Sequence, residues 1–593
     1  VYLDGMLLPI GASQFARSRI DPFGLQEIDV LKGAAASALY GENTPGGLVN
    51  FVSLRPTDTP THTVEIDGDS FRNFRGAFDI GGPVEPKNGT LFYRLTGDFN
   101  DGGTQVNYDN DRHIFIAPAL TWRPDGETSL TLLGQYVNDK TGIPAQFLPA
   151  VGTLYTNPHG QIPVSQNLGE PGHDFFLRNQ WMAGYLFEHR FGDLLTVRQN
   201  LRYASLDTNT VAIMGAGIQP NLVTENRSNY VIPESATAFT LDNEVEKDFV
   251  TGPFQHKVLA GLDFRQATSA LQENIGSAPS INLYNPVYGA PLNMPPLFAA
   301  SGQLQDQIGL YLQDQIKFGH FGLTLSGRHD WVDTKTYNYL TGATTPQNDG
   351  AFSGRVALNY LFDFGLSPYV AYARSFMPNL GTMVGGAPLA PSYGSEVEGG
   401  VKYQPTGTNA LLTAAVYDMT EQNYTESDPV NVGFSIQTGQ VHIRGAELEA
   451  KTSLTEGLDL IASYTHNDAH IVGGAPSLAG KRVNQVPYNQ AALWADYTIH
   501  AGFFRGFGFG AGLRYTGDTY GDPANTLLIP DYTLIDAALH YDFGEVNPAW
   551  KGARLAVNAF NVFNTAYVSS CQTISQCYWG NARQVRVSLR YTW

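Results

Sequence analysis

From Val585 the chain reads Val-Arg-Val-Ser-Leu-Arg-Tyr-Thr-Trp and stops at Trp593. Strict period two marks an extended strand, because successive side chains point to opposite faces. Val585, Val587, Leu589, Tyr591 and Trp593 therefore share one face, and Arg586, Ser588, Arg590 and Thr592 the other. The pattern recurs. Phe507, Phe509, Ala511, Leu513 and Tyr515 alternate with Gly508, Gly510, Gly512 and Arg514, and Ala446, Leu448 and Ala450 alternate with Glu447, Glu449 and Lys451. Ile114, Ile116, Leu120 and Trp122 form another such face, with Pro118 between them predicting a bulge. Such a chain must build sheets. What remains open is whether the apolar faces meet a soluble core or lipid.

Composition bears on that choice. Only 15% of the 593 residues are charged, net −19, while Gly (63), Phe (33) and Tyr (31) abound. A soluble chain carries about a quarter charged residues. The acidic balance and aromatic content speak against a nucleic-acid binder and against disorder. No run of about 18 apolar residues occurs, which excludes membrane-spanning helices and leaves a closed β-barrel as the way across a bilayer.

The connections fit that reading. Short turns are expected at Pro124–Gly126, Gly192-Asp193, Gly319-His320, Asp363–Gly365, Pro405–Asn409 and Thr455–Gly457. Long polar loops are expected at 139–177, 207–235, 271–301, 377–394 and 471–485. Short turns on one side and long loops on the other characterise outer-membrane barrels, and the strand-like segments number about 22. Tyr and Trp near strand ends read as aromatic girdles. The only cysteines, Cys571 and Cys577, read as a local disulfide in an outward loop, the alternative being two free thiols.

Residues 1–61 differ in kind. Ile28–Leu31 is a short apolar strand leading to Lys32-Gly33, then come the small-residue stretch Ala34–Tyr40, a Gly/Pro cluster around Gly41–Gly47 and a second apolar run, Leu48–Val52. The fragment is too small to fold alone. It is expected to fill a wide barrel, giving two units, a plug portion at 1–61 and a barrel at 62–593.

The stretch IDVLKGAAASALYGENTPGGLVNFVSLRP (28–56) resembles the end of the plug domain in TonB-dependent outer-membrane receptors. IRGAELEA (443–450), NAFNVFNTAYV (558–568) and the aromatic final strand agree with it. RLTGDF (94–99), LYNPV (283–287), RYTGDTYGDPAN (514–525) and the cysteine loop followed by Tyr578-Trp579-Gly580 are similar to ferrichrome-type, hydroxamate siderophore receptors. The resemblance covers the whole chain. It implies a 22-stranded barrel around a partial α+β plug in the bacterial outer membrane, importing Fe(III) as a siderophore complex and with no covalently bound cofactor. It also implies a signal peptide, a TonB box and an earlier part of the plug before Val1, through which the TonB–ExbB–ExbD complex would act. A monomer in contact with lipid and lipopolysaccharide is expected.

The same resemblance places a ligand site. Phe15 falls at a plug-apex position where an aromatic hydroxyl would touch the ligand, and Phe147 where a barrel Trp usually stands. Ala212 and Met214 replace tyrosines, Gln572 stands where Phe is frequent, and Tyr578 completes the set. Arg17 and Arg19 flank the apex, either as plug–barrel contacts or as partners of an anionic siderophore. Apart from the resemblance, Lys32 and Arg55 are expected either to meet Glu447 and Glu449 in a plug-to-wall charge network or to stand as separate hydrated lumen charges.

Other classes are less favoured. A passive porin would have no use for residues 1–61. An enzyme would need a nucleophile–base arrangement, and neither an HExxH nor a G-x-S-x-G motif is present, so none is expected. Within transporters, cobalamin, another iron chelate or a glycan is the alternative cargo.

Overall fold

The computed structural model describes every residue except 14, 86–88, 144–145, 380, 429, 432–433 and 474–475. Twenty-two strands form one closed antiparallel barrel in chain order. The final strand, Gln584–Thr592, pairs back onto the first, Thr61–Asp69, from Arg586↔Asp69 to Thr592↔Thr63. Closure satisfies every edge, and a barrel in lipid needs that because hydrocarbon offers no hydrogen bonds.

The alternation read from the sequence sorts as expected. Val587, Leu589, Tyr591 and Trp593 are exposed on the outside, as are Phe509, Leu513 and Leu448. An aromatic belt rings the short-turn end. Phe254 meets Phe318 at 5.1 Å, and Phe321, Tyr360, Phe362, Phe364 and Tyr403 continue the contacts around the rim.

Strand length is where expectation and structure part. Thr224–Thr251 and Phe254–Asn282 run 28 and 29 residues, far beyond the roughly 9–11 that cross a bilayer. The stretch 207–235 is accordingly not a loop. Its halves pair from Asp207↔Ser235 to Val211↔Val231 and onward, leaving only 219–223 as the connection. Above the membrane neither sheet face meets lipid, so the ladder persists after the apolar alternation ends. The stretch 271–301 narrows likewise to a connection at 283–296. Pro118 makes no bulge either. Leu95↔Pro118 and the flanking pairs Ile116↔Tyr136 and Ala119↔Leu133 keep one register. The ladder to strand Thr128–Thr141 simply skips 117 and 118, where proline has no N–H to give.

Inside the lumen, four strands near the start of the chain form a sheet of their own. Tyr2–Leu3 lies between Met6–Leu7 and Gly47–Ser53, and Leu25–Lys32 completes it. A short helical segment, Ala34–Tyr40, packs against it. The Tyr2 hydroxyl donates to the carbonyls of Tyr40 (3.0 Å) and Glu42 (2.6 Å), tying sheet to helix.

Candidate functional site

The lumen unit is fastened to the barrel wall by charge. Asp4 pairs with Arg202 at 2.6 Å and Glu42 with Arg265 at 2.7 Å, all nearly without solvent contact. Asp21 and Asp139 grip His113 at 2.7 and 2.5 Å. Lys32 reaches Glu447 (2.6 Å) and Glu449 (2.5 Å), partly exposed. Burial works to lower the Lys32 pKa, but the two carboxylates hold it above its ordinary value. The Arg55 guanidinium turns to Asp4 inside the lumen unit, at 3.7 Å, rather than to the glutamates; its carbonyl accepts from Arg94 of the wall. Tight spacing there explains the small residues of the motif. At Gly33, φ is 76° and a Cβ would lie 2.2 Å from the Glu396 carboxylate, which accepts the Ala34 N–H.

The apex of the lumen unit, described at residues 11–13 and 15–16, is closed by the bridge Ile10↔Arg17 and the Gly11 N–H to Ala16 carbonyl bond (2.7 Å). Barrel residue Glu234 receives the Ser13 N–H (2.7 Å), the Ala16 N–H (2.9 Å) and the Ser13 hydroxyl. The apex thereby presents Ala12 and Phe15 to a cluster of Ile143, Phe147, Ala212, Met214, Tyr230, Ile232 and Leu271, with Tyr578 packed against it. Phe147 and Tyr578 meet edge to face at 5.8 Å. Burial pushes the Tyr578 hydroxyl above its usual pKa.

Four predicted ligand residues, Phe15, Phe147, Met214 and Tyr578, thus converge. Gln572 lies outside the cluster, half-buried in the hairpin Val568–Trp579. Arg19 engages Asp139 at 3.1 Å and exchanges two 2.9 Å hydrogen bonds with Gln180 through its backbone, which makes it a wall contact. Arg17 is exposed at the apex.

The cysteines form a disulfide whose hairpin buttresses the loop carrying Phe147. Leu148 and Cys577 exchange backbone hydrogen bonds of 3.1 and 2.8 Å, and the Ala150 N–H donates to Ile574 (2.7 Å). Phe147 itself has φ 52°, a conformation costly for an aromatic residue and held here by its surroundings. Sequence reading missed Glu234, Arg202, Arg265, Glu396 and His113. Each sits on the inward face of its strand, but nothing local shows which lumen residue it meets.

A closed barrel of this width, with a folded unit pinned across its lumen and an aromatic cup at the long-loop end, is a plugged outer-membrane receptor. The comparisons bear this out. A family model described as "TonB dependent receptor-like, beta-barrel" matches residues 121–562, and "TonB-dependent Receptor Plug Domain" matches 1–48. The ferrichrome outer membrane transporter/phage receptor of Escherichia coli is 36% identical over 98% of this chain and 81% of its own length. The ferrioxamine receptor of Yersinia enterocolitica is 34% identical over 100% and 82%. The crystal structure of the siderophore receptor PiuA from Acinetobacter baumannii has a TM-score of 0.87 at 19% identity, covering 100% of this chain and 89% of that one. The chain belongs to the TonB-dependent receptor family. It resides in the bacterial outer membrane and, as a member of that family, is coupled to the TonB system.

Proposed function

We propose that this receptor captures a ferric hydroxamate siderophore at the extracellular mouth and releases it inward when the TonB system pulls on the plug. The observation that carries the reading is the apolar, aromatic cluster shared by the plug apex (Ala12, Phe15) and the barrel loops (Phe147, Met214, Tyr578). A cluster built from both parts is disturbed by any plug movement, so bound and pulled states differ in affinity, as directed release requires. The two relatives, a ferrichrome transporter and a ferrioxamine receptor, support the hydroxamate class. Residues 1–61 then act as the C-terminal part of the plug and 62–593 as the barrel, working as a monomer in lipid and lipopolysaccharide. Iron is cargo.

The test is tryptophan quenching of the full-length receptor by ferrichrome, ferrioxamine, coprogen, a ferric catecholate and cobalamin, paired with uptake of radiolabelled iron by a receptor-deficient strain carrying the gene. Saturable binding and TonB-dependent uptake of a hydroxamate are expected. Binding of the catecholate or cobalamin alone would overturn the substrate class.

A further inference from the structure

One carboxylate in the mouth has no partner. Glu273 is fully buried, and neither of its oxygens has a hydrogen-bond partner among the described residues. Its strand, Phe254–Asn282, places it on the same face as Leu271 and Ile275, one a member of the aromatic cluster and the other packed against it. The flanking pairs Val231↔Asn274 and Glu234↔Leu271 set buried Ile232 opposite it on one side, and Ala299 is its partner on the other. Its directly opposed neighbours in the sheet are thus apolar, with Tyr230 and Glu234 lying diagonally from it. The charged group that acts on it is Glu234, another carboxylate, already engaged by Ser13 and Ala16 of the plug.

An unpaired carboxylate in apolar surroundings is expensive unless something neutralises it. Glu273 makes no ion pair with a lysine or arginine among the described residues. Burial, with Glu234 beside it, raises its pKa to about 8, so without a partner it holds its proton at neutral pH, and a cation set against it draws out the ionised form.

We infer that Glu273 is a specificity-determining residue that receives a cationic, ammonium-bearing arm of the ferric ligand. This rests on the siderophore reading and narrows it: the chelate carries a primary amine, protonated at neutral pH, which enters the aromatic cup and forms a charge-assisted hydrogen bond with Glu273. The cup's rings add cation–π attraction to the same group. Arg17 and Arg19, the expected partners of an anionic siderophore, are then not the charge readers of the site.

The experiment compares ferrioxamine B, which ends in a primary ammonium, with its N-acetylated derivative, on wild type, Glu273→Gln and Glu273→Leu. Wild type should prefer the amine by about ten-fold or more, and both variants should lose that preference while keeping their affinity for the acetylated chelate. The leucine variant guards against a folding defect, since it completes an apolar patch. Equal binding of the two chelates by wild type, or a preference that survives in both variants, would overturn the inference. Pentylammonium chloride, free of iron and chelate, supplies the separate arm. It should raise the Tm of wild type and leave Glu273→Leu unmoved, whereas n-pentanol should not distinguish them. No ammonium-specific shift would sink the inference even if hydroxamates bind. An ammonium-specific shift with no hydroxamate binding would retain the charge reader and discard the hydroxamate reading.

Discussion

Gly11 sits where plug and wall touch. A Cβ there would lie 2.3 Å from Glu234 Oε1 and 2.7 Å from the Ala16 Cβ, so Gly11→Ala must push the apex loop off its carboxylate anchor. Such overpacking costs about 1–3 kcal/mol. The expected outcome is a lower plug stability and weaker ligand binding with an intact barrel, read by thermal unfolding and quenching titration. Asp109 offers a pH test in a connection at the long-loop end of the barrel. Burial raises its pKa to about 6, outweighing the bonds from Thr104 and the backbone. Because the folded value lies above the unfolded one of about 3.9, the folded loop binds the extra proton, and its stability falls as pH rises between those values and stays low above them. Amide exchange in 104–110 should therefore be slower at acid than at neutral pH, after correction for intrinsic rates. Asp109→Asn should abolish the difference; an unchanged pH response would contradict the assignment. Neither feature is legible in the sequence, since Gly11 and Asp109 look like ordinary turn residues until their distant neighbours are known.

At the level of elements, the disulfide hairpin Val568–Trp579 supports the Phe147 loop by backbone bonds and by a shared apolar cluster with Ala150, Leu527 and Ile529. A loop this short yields about 2 kcal/mol from cross-linking. Cys571→Ser with Cys577→Ser should leave the barrel's heat-modifiable gel mobility unchanged and weaken ligand binding, because the lost order is confined to the mouth. The tall hairpin formed by Thr224–Thr251 and Phe254–Asn282 shows how element boundaries escaped the sequence. Alternation of apolar and polar residues reports contact with lipid, not strand pairing. Where a strand leaves the membrane the report ends while the strand continues, so 207–235 read as loop.

For the whole molecule, the plug is held by buried ion pairs that differ in kind from the exposed Lys32–Glu447–Glu449 group. Surface pairs contribute about 0–1 kcal/mol, so Lys32→Ala should change planar-bilayer conductance little. Glu42 is different. Burial already raises its pKa against the pull of Arg265, and Arg265→Ala strands it without its cation, a change that costs about 3–5 kcal/mol. That variant should leak ions through a barrel that is otherwise closed by its plug. If Lys32→Ala leaks and Arg265→Ala does not, the ranking of the two contacts is reversed.

Period-two alternation, low charge and the turn pattern determined the barrel, its strand number and which side chains face lipid, because those follow from local chemistry repeated along each strand. The plug motif, with its small residues and glycines, marked a unit packed tightly against something. Only the tertiary structure decided what that was. Arg202, Arg265, Glu234 and His113 meet their plug partners across dozens to hundreds of residues, and Arg55 turned to Asp4 where Glu447 had been expected. The aromatic cup and the partnerless Glu273 within it exist only once closure of the barrel brings strands, loops and plug apex to one place, since burial and pairing are properties of that assembly and not of any segment.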